Sequence, residues 1–427
     1  MSEQRNSEGL LSGYRALDLT DEKGLLCGKM LGDLGADVIK IEHPGGDPAR
    51  DIGPFYKDTP DREKSLFWFF TNTSKRGITL NIETADGREI FKRLAKTADF
   101  VIESFEPGYM AGLGLGYPDL EKLNPRIIMT SITPFGQTGP YAHYQATDME
   151  MWAMGGMMWL CGDSDRQPSR VSAPQAFFHG SAQGAVGSLV AWYHRQSQGE
   201  GQHVDVSIQD AVILTLMDAS EYWDLNKINR SRGGGAFSRR PRPSRGDLIF
   251  QRIWSCKDGQ IVWPYNLAGG AQAGLVTSTT NIVDMANREG LAGDLAGYDW
   301  KKLDMDTITQ EEADHHAEVF TRFYMTRTKL QLMQEAVERA YILAPLNNVK
   351  DILESPQLKA RNYWTEVKHP DLGDAIIYPG APVKSSDLPW RIWRRAPFIG
   401  EHNEEVYIDE LGLSAEELAL LKARGVI

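Results

Sequence analysis

The chain is poor in cysteine. Cys27, Cys161 and Cys256 are scattered over 427 positions. So sparse and odd a set excludes a disulfide framework and a cysteine-based metal site, and it fits a reducing cytoplasm. Long apolar runs are absent: none approaches the roughly 18 residues of a membrane span. The polar start MSEQRNSEGL lacks the pattern of a signal peptide. Positive charge is in deficit, with a net charge of −12. That balance speaks against a nucleic-acid partner while leaving room for a local basic patch around a small anion. Nucleotide and hydrolase signatures are also missing: there is no Walker A sequence, no HExxH and no Gly-x-Ser-x-Gly elbow. GLGLGY (Gly112–Tyr117) has the wrong spacing for a dinucleotide loop and follows no strand directly. The nine histidines do not pair at metal-ligand spacing, and His315–His316 lie in an acidic stretch that reads as a solvated helix face.

What is present is an α/β pattern. RALDLT (15–20), ADVIKIE (36–42), ITLNI (78–82), FVIES and RIIMTSI read as short strands, and HVDVSI (203–208) as another. Between them lie helical stretches: GLLCGKMLGDLG, stopped by Gly35, and TADGREIFKRLAKTAD, with Thr84 as N-cap and Ile90, Phe91 and Leu94 on one face. Strands alternating with helices of this length imply right-handed crossovers and a parallel, Rossmann-like sheet. A long Ala/Gly-rich helix is expected over 179–198, and a second runs from the strand at 203–208 to about Asn229. NRSRGGGAFSRRPRPSRGD (229–247) then reads as a linker, and DLIFQRIWSCKDGQIVW as a hairpin turning at Asp258–Gly259. The expected organisation is a large domain over 1–210, linker helices and a smaller α+β domain over 211–330, and a C-terminal part over 331–427 with two helices near 313–340 and a last helix from Ser414.

Three carboxylates attract notice. CGDSDRQPSRV carries Asp163 and Asp165, and QATDMEM carries Asp148. By composition alone the first two are turn residues whose side chains cap nearby backbone N–H groups.

Several phrases taken together alter that reading. GDLGADVIKIEHPGGDPAR, TSKRGITLN, ADFVIESFEPG, LNPRIIMTSITPFGQTGP and GEGQHVDVSIQDAV resemble, in order and spacing, the family III CoA-transferases, the group of formyl-CoA and carnitine-CoA transferases. The resemblance implies a large Rossmann-like domain built from both chain ends, a smaller central domain, and an interlocked dimer, here a homodimer or a heterodimer with a related subunit. It implies no permanently bound cofactor, coenzyme A thioesters as substrates, and no nucleic-acid or membrane partner.

The family's nucleophilic aspartate lies in a Gly-x-x-Asp-Gly-Pro-Pro loop, which aligns with Gly162–Pro168 and puts the nucleophile on Asp165, with Asp163 a solvated neighbour. Arg166-Gln167 replace Gly-Pro. By position, Lys75 and Arg76 match residues at the nucleotide end of CoA, Ser104 and Phe105 the pantetheine channel, and Phe135 an aromatic beside the thioester. His43 stands for a family arginine and Thr133 for a lysine, with Arg50 as a substitute cation. Gly233, Gly234 and Gly235 resemble the glycine loop that covers the nucleophile, followed by Arg239, Arg240, Arg242 and Arg245 as candidate anion contacts.

Related racemases place a histidine where this chain has Thr147 and need a second acid where it has Phe177–Phe178. That leaves Asp148 as a structural or capping carboxylate. Two other readings stand beside the transferase: a non-catalytic partner subunit and a racemase-like enzyme. Trp68, Trp152 and Trp159 suggest a bulky acceptor acid such as an arylsuccinate, with succinyl-CoA as donor.

Overall fold

The computed structural model describes residues 9–427, apart from 164, 231, 241, 243–244, 264–272 and 388, and without the side chains of 239 and 273. The chain divides into two compact units. One comprises Met1–Met157, Val171–Met217 and Pro356–Ile427; the other comprises Met158–Arg170 and Asp218–Ser355. The chain thus passes between units after Met157, Arg170, Met217 and Ser355, where the sequence suggested crossings only near 210 and 330 and kept 158–170 in the large domain.

The first unit is organised by six strands: β1 (Arg15–Leu19), β2 (Asp37–Glu42), β3 (Lys75–Thr79), β4 (Phe100–Glu103), β5 (Ile128–Thr133) and β6 (His203–Ser207). Their order is β3-β2-β1-β4-β5-β6, and every pairing is parallel. The order reverses between β1 and β4, which opens a crevice beyond the carboxyl ends of those strands.

Crossover helices form where the sequence pattern places them. Helix α1 (Leu25–Asp33) ends before Gly35, whose φ of +102° a side chain would disfavour. Helix α2 (Ala85–Ala95) starts at Thr84, whose hydroxyl accepts from Gly87 N–H, and it buries Ile90, Phe91 and Leu94. Helix α3 (Asp148–Met154) precedes the long α4 (Ala176–Gln198), and α5 (Ile208–Ile213) follows β6. The returning C-terminal segment closes this unit. Tyr407 donates its hydroxyl to Thr79 O at 2.7 Å, and Asn81 N–H donates to Val426 O.

Two expectations change. The strand read at 78–82 begins three residues earlier, at Lys75, and ends at Thr79. Its two charges do not exclude it from the interior because each has an acidic partner: the buried Asp18 for Lys75 and the half-buried Asp37 for Arg76. The second long helix is broken. After α5, Met217 adopts φ +59° and ψ −118°, and a separate helix α6 (Ala219–Asn226) starts in the other unit.

The second unit pairs β7 (Phe237–Arg240) with β8 (Leu248–Gln251), and β9 (Ile253–Cys256) with β10 (Gly259–Val262), both antiparallel. Cys256 faces Gly259, so the hairpin turns at Lys257–Asp258, one residue before the expected place. Helices α7 (Ala273–Arg288), α8 (Gln310–Tyr324) and α9 (Lys329–Arg339) cover a core in which Trp263 meets Phe320 at 4.6 Å and Trp254 meets Tyr324 at 5.8 Å. Only half of the His315–His316 pair is solvated. His315 bonds Asp294, whereas His316 is buried against Tyr298 and Trp300, and that burial lowers its pKa to about 4.

Asp18 on β1 and Lys75 on β3 form a fully buried pair at 2.7 Å, reaching across β2. Removing one member of such a pair leaves the other charge uncompensated. Asp18→Ala is therefore expected to destabilise the protein by about 3–5 kcal/mol, read from the denaturant midpoint of unfolding.

Candidate active site

The carboxyl ends of β1, β2 and β4 open onto a cavity of about 250 Å³, lined by Asp21, His43, Asn81, Ile82, Ser104 and Phe105 among others. A second cavity of about 350 Å³ shares Asp21, Ser104 and Phe105 and continues past β5, where Lys23, Thr133 and Tyr144 line it. The two form one crevice at the strand-order reversal, the place where open α/β sheets take elongated ligands.

The turn after β4 is shaped from below. Glu103 is buried and accepts from Phe105 N–H at 2.7 Å. Burial pushes its pKa up to about 7, against the lowering effect of bonds from Ser131 and Phe105 N–H. Ser104 is tied to the other wall, its hydroxyl donating to Asp21 at 2.8 Å. Phe105 packs on Tyr109 with ring centres 4.6 Å apart. Thr133 lies fully buried in the wall of the second cavity, and its hydroxyl has no hydrogen-bond partner among the described residues. Buried hydroxyls are normally satisfied, so this one is a ready contact for a polar ligand atom. Phe135, Tyr141 and Tyr144 form an aromatic cluster at the rim, with Tyr141 and Tyr144 exposed.

In the second unit the loop carrying Asp163 and Asp165 borders a smaller cavity of about 110 Å³ with Arg166, Gly234, Phe237, Ser238 and Ile249. Asp165 is exposed. Asp163 accepts from Gly235 N–H at 3.0 Å, so it is a tied side chain and not the solvated neighbour expected from the sequence. At Gly234, φ is +82° and a Cβ would come within 1.8 Å of Phe237 O, so only glycine fits.

With this geometry in hand, the sequence finds its relatives. Residues 11–403 match the description CoA-transferase family III. The chain is 36% identical to the succinyl-CoA:(R)-benzylsuccinate CoA-transferase subunit BbsE of Thauera aromatica, over 97% of this chain and 98% of that one. It is 31% identical to the formyl-CoA:oxalate CoA-transferase of Streptomyces coelicolor, over 98% and 99%. A CAIB/BAIF family protein from Brucella suis superposes with a TM-score of 0.77 at 27% identity, covering 94% of this chain and 99% of that one. This chain belongs to CoA-transferase family III.

As a family III CoA-transferase, the protein moves CoA between an acyl-CoA and an acid. The residues expected at its site fall into two groups. His43, Ser104, Phe105 and Thr133 meet in the crevice, with Phe135 against its rim, and Asp165 and Gly234 share the cavity of the second unit. Gly233 and Gly235 flank Gly234 in open space.

The cations divide differently. Lys75 is fully buried, its ammonium bonded to Asp18, Leu25 O and Asn72. Arg50 is fully buried between Glu42 and Glu63 and stacks on Trp68 at 3.8 Å. Arg76 sits at the amino end of β3, held by Asp37, Glu405 and Glu410. None of the three lines either part of the crevice. Downstream, Arg240 pairs with Asp306, while Arg242 and Arg245 donate to the carbonyls of Ile308 and Thr307. The side chain of Arg239 lies outside the described residues.

Asp148 is buried and accepts from Phe177 N–H at 3.1 Å, which caps the start of α4. Its other oxygen has no partner among the described residues. Sequence reading missed Asp21, Asn81, Ile82, Tyr109 and Tyr144 as crevice residues, and Glu103 beneath them. For Asp21, Asn81 and Ile82 the available signal was a position just after a strand; Tyr109 and Tyr144 lie further along the chain, and Glu103 ends β4.

Glu103 also sets a pH dependence. Its folded-state pKa of about 7 lies above the ordinary carboxyl value of 4.5. Between those values the native state holds a proton that the unfolded chain has lost, so this group's stabilising contribution is full below about 4.5 and is lost as pH rises through about 7. Melting curves across that window are expected to show this component in the native protein and a flatter profile in Glu103→Gln.

Proposed function

We propose that the transfer runs through covalent intermediates on Asp165. A carboxylate oxygen of Asp165 attacks the thioester carbonyl of the donor, the C–S bond breaks, and a mixed anhydride and CoA thiolate result. The thiolate attacks the aspartyl carbonyl and expels the donor acid, leaving an aspartyl-CoA thioester. The acceptor carboxylate attacks that same carbonyl and releases the thiolate, giving a second anhydride. The thiolate then attacks the acceptor's acyl carbon, forming the product thioester and restoring the Asp165 carboxylate. No nucleotide triphosphate is needed, because each intermediate retains the acyl activation of the one before. The single observation that carries the reading is Asp165 beside a cavity that Gly234 of the glycine loop also lines, in a chain of this family.

Within this proposal the crevice of the first unit receives coenzyme A. Asn81 and Ile82 offer walls for its nucleotide end, Ser104 and Phe105 border the pantetheine arm, and the unpaired Thr133 hydroxyl takes a polar atom of the ligand. Lys23 and the His43 imidazole line it, while Lys75, Arg50 and Arg76 serve the fold. Succinyl-CoA as donor and a dicarboxylic acid bearing an aromatic group as acceptor fit the name of the benzylsuccinate relative and the Phe135–Tyr141–Tyr144 cluster. The chain acts as a homodimer or beside a related subunit. A second reading, a non-catalytic subunit, has two supports: Arg166-Gln167 beside Asp165 and the word subunit in that relative's name.

One experiment separates the two. The purified protein is incubated with succinyl-CoA and other acyl-CoAs, hydroxylamine is added, and the modified peptide is mapped by mass spectrometry. A hydroxamate at Asp165 is the expected result. Asp165→Asn is expected to lose that label and to reduce transfer by roughly a thousand-fold or more. An unlabelled Asp165 in a protein that binds CoA favours the silent subunit.

A further inference from the structure

The nucleophile loop is held from a segment about 70 positions further along the chain, within the same unit. The Arg232 guanidinium donates to three of its backbone carbonyls: Nε to Asp163 O at 3.1 Å, and its two terminal nitrogens to Trp159 O and Arg166 O, each at 3.2 Å. It lies over the Trp159 ring at 5.1 Å. The planar fork of arginine can serve three acceptors at once, which the ammonium of lysine cannot reproduce with this geometry. The carbonyls of Asp163 and Arg166 bracket Asp165, so the guanidinium fixes the backbone on both sides of it.

The tie in the opposite direction is the Asp163 carboxylate, which accepts from Gly235 N–H. Gly234, where only glycine fits, turns the chain so that this N–H meets the carboxylate. The glycine segment is anchored beyond that point: Ser238 donates its hydroxyl to Gly233 O at 3.0 Å, and Arg252 donates to Ser238 Oγ at 3.2 Å. The cavity they enclose with Asp165 is about 110 Å³. That is room for a few waters or a small acyl fragment and well short of a drug-sized ligand site.

We propose that Asp163 and Arg232 are positioning residues that latch the nucleophile loop to the glycine loop and keep water from the acyl intermediates on Asp165. This inference rests on the proposed role of Asp165. Arg232 orients the backbone that presents the carboxylate, and Asp163 holds the glycine loop shut over it through one charge-assisted hydrogen bond. Opening requires that this bond and the Ser238–Gly233 bond break and that Gly234 and its neighbours swing; the Arg232 contacts stay in place. The chemical consequence concerns partition. An anhydride or thioester on Asp165 has two fates, attack by the acceptor carboxylate or by water. Attack by water at the aspartyl carbonyl adds hydroxide there, expels the donor acid or CoA thiolate, and returns the Asp165 carboxylate with the transfer wasted.

The test uses the full-length protein and two readouts. The first is hydrogen exchange at the Gly235 amide, followed by mass spectrometry. In Asp163→Ala it is expected to speed up roughly tenfold, the scale of one lost hydrogen bond to a charged group, while Asp163→Asn, which keeps an acceptor oxygen, stays within about twofold of the native protein. Unchanged exchange in Asp163→Ala overturns the latch whatever the enzyme's substrates. The second is the ratio of succinyl-CoA hydrolysis to CoA transfer onto benzylsuccinate. It is expected to rise roughly tenfold in Asp163→Ala, with KM for the donor little changed, and to rise less in Asp163→Asn. Arg232→Lys is expected to lower kcat and slow hydroxamate formation at Asp165. A native protein that labels at Asp165 while Asp163→Ala keeps the native ratio refutes the latch alone. A native protein that never labels at Asp165 refutes the nucleophile assignment, and the exchange readout still decides whether the loops are tied.

Discussion

The Asp18 carboxylate is the constraint on which the crevice depends. It accepts from Thr20 N–H and the Thr20 hydroxyl as well as from the Lys75 ammonium, all without contact with water. Burial opposes its charge, but Lys75 and Lys40 outweigh that and hold the carboxyl below its usual range. Lys75 in turn bonds Leu25 O at the start of α1 and Asn72 before β3. One ion pair therefore ties the end of β1 to the start of α1 and to the residues just before β3. Its bulk leaves no room opposite: a Cβ on Gly28 would lie 2.1 Å from an Asp18 oxygen. The turn that carries Asp21 into the crevice starts from this pair, so the ligand-facing surface inherits its position from a charge network that no ligand touches.

That network also explains where sequence reading succeeded and where it stopped. Strands such as Asp37–Glu42 and helices such as Ala85–Ala95 were legible because their apolar residues repeat at the period of the element and their caps are local. Lys75, Arg76 and Arg50 looked like candidates for phosphates because a cation in a sequence does not display its partner. Asp18 is 57 positions from Lys75 and Asp37 is 39 from Arg76. Even Glu42, eight residues before Arg50, could be read as its partner only once the turn between them was seen to fold back. The break at Met217 was hidden for a related reason: the apolar pattern continues through it, and nothing in the residue type announces a left-handed backbone.

The candidate site shows the same division between local and distant information. Ser104, Phe105 and Thr133 were named through the family resemblance; in the structure each follows or ends a strand, and parallel strands in this order deliver their carboxyl ends to one crevice. Glu103 was passed over as an ordinary strand-end acid. Its burial and its bond to Phe105 N–H make it the support of the turn above it, a role that exists only in three dimensions.

The two aspartates of the nucleophile loop carry the point furthest, since they are chemically identical and two residues apart. A nucleophile must expose its carboxylate to substrate. Asp163 accepts from Gly235 N–H, and its backbone oxygen is claimed by Arg232. Asp165, exposed at the edge of the small cavity, has the access that attack on an acyl carbon requires. Under the proposed mechanism the Asp163 carboxylate holds the glycine loop and the solvent-exposed Asp165 carboxylate reacts. A segment that reads as a plain solvated turn can thus divide position and chemistry between neighbouring copies of the same side chain.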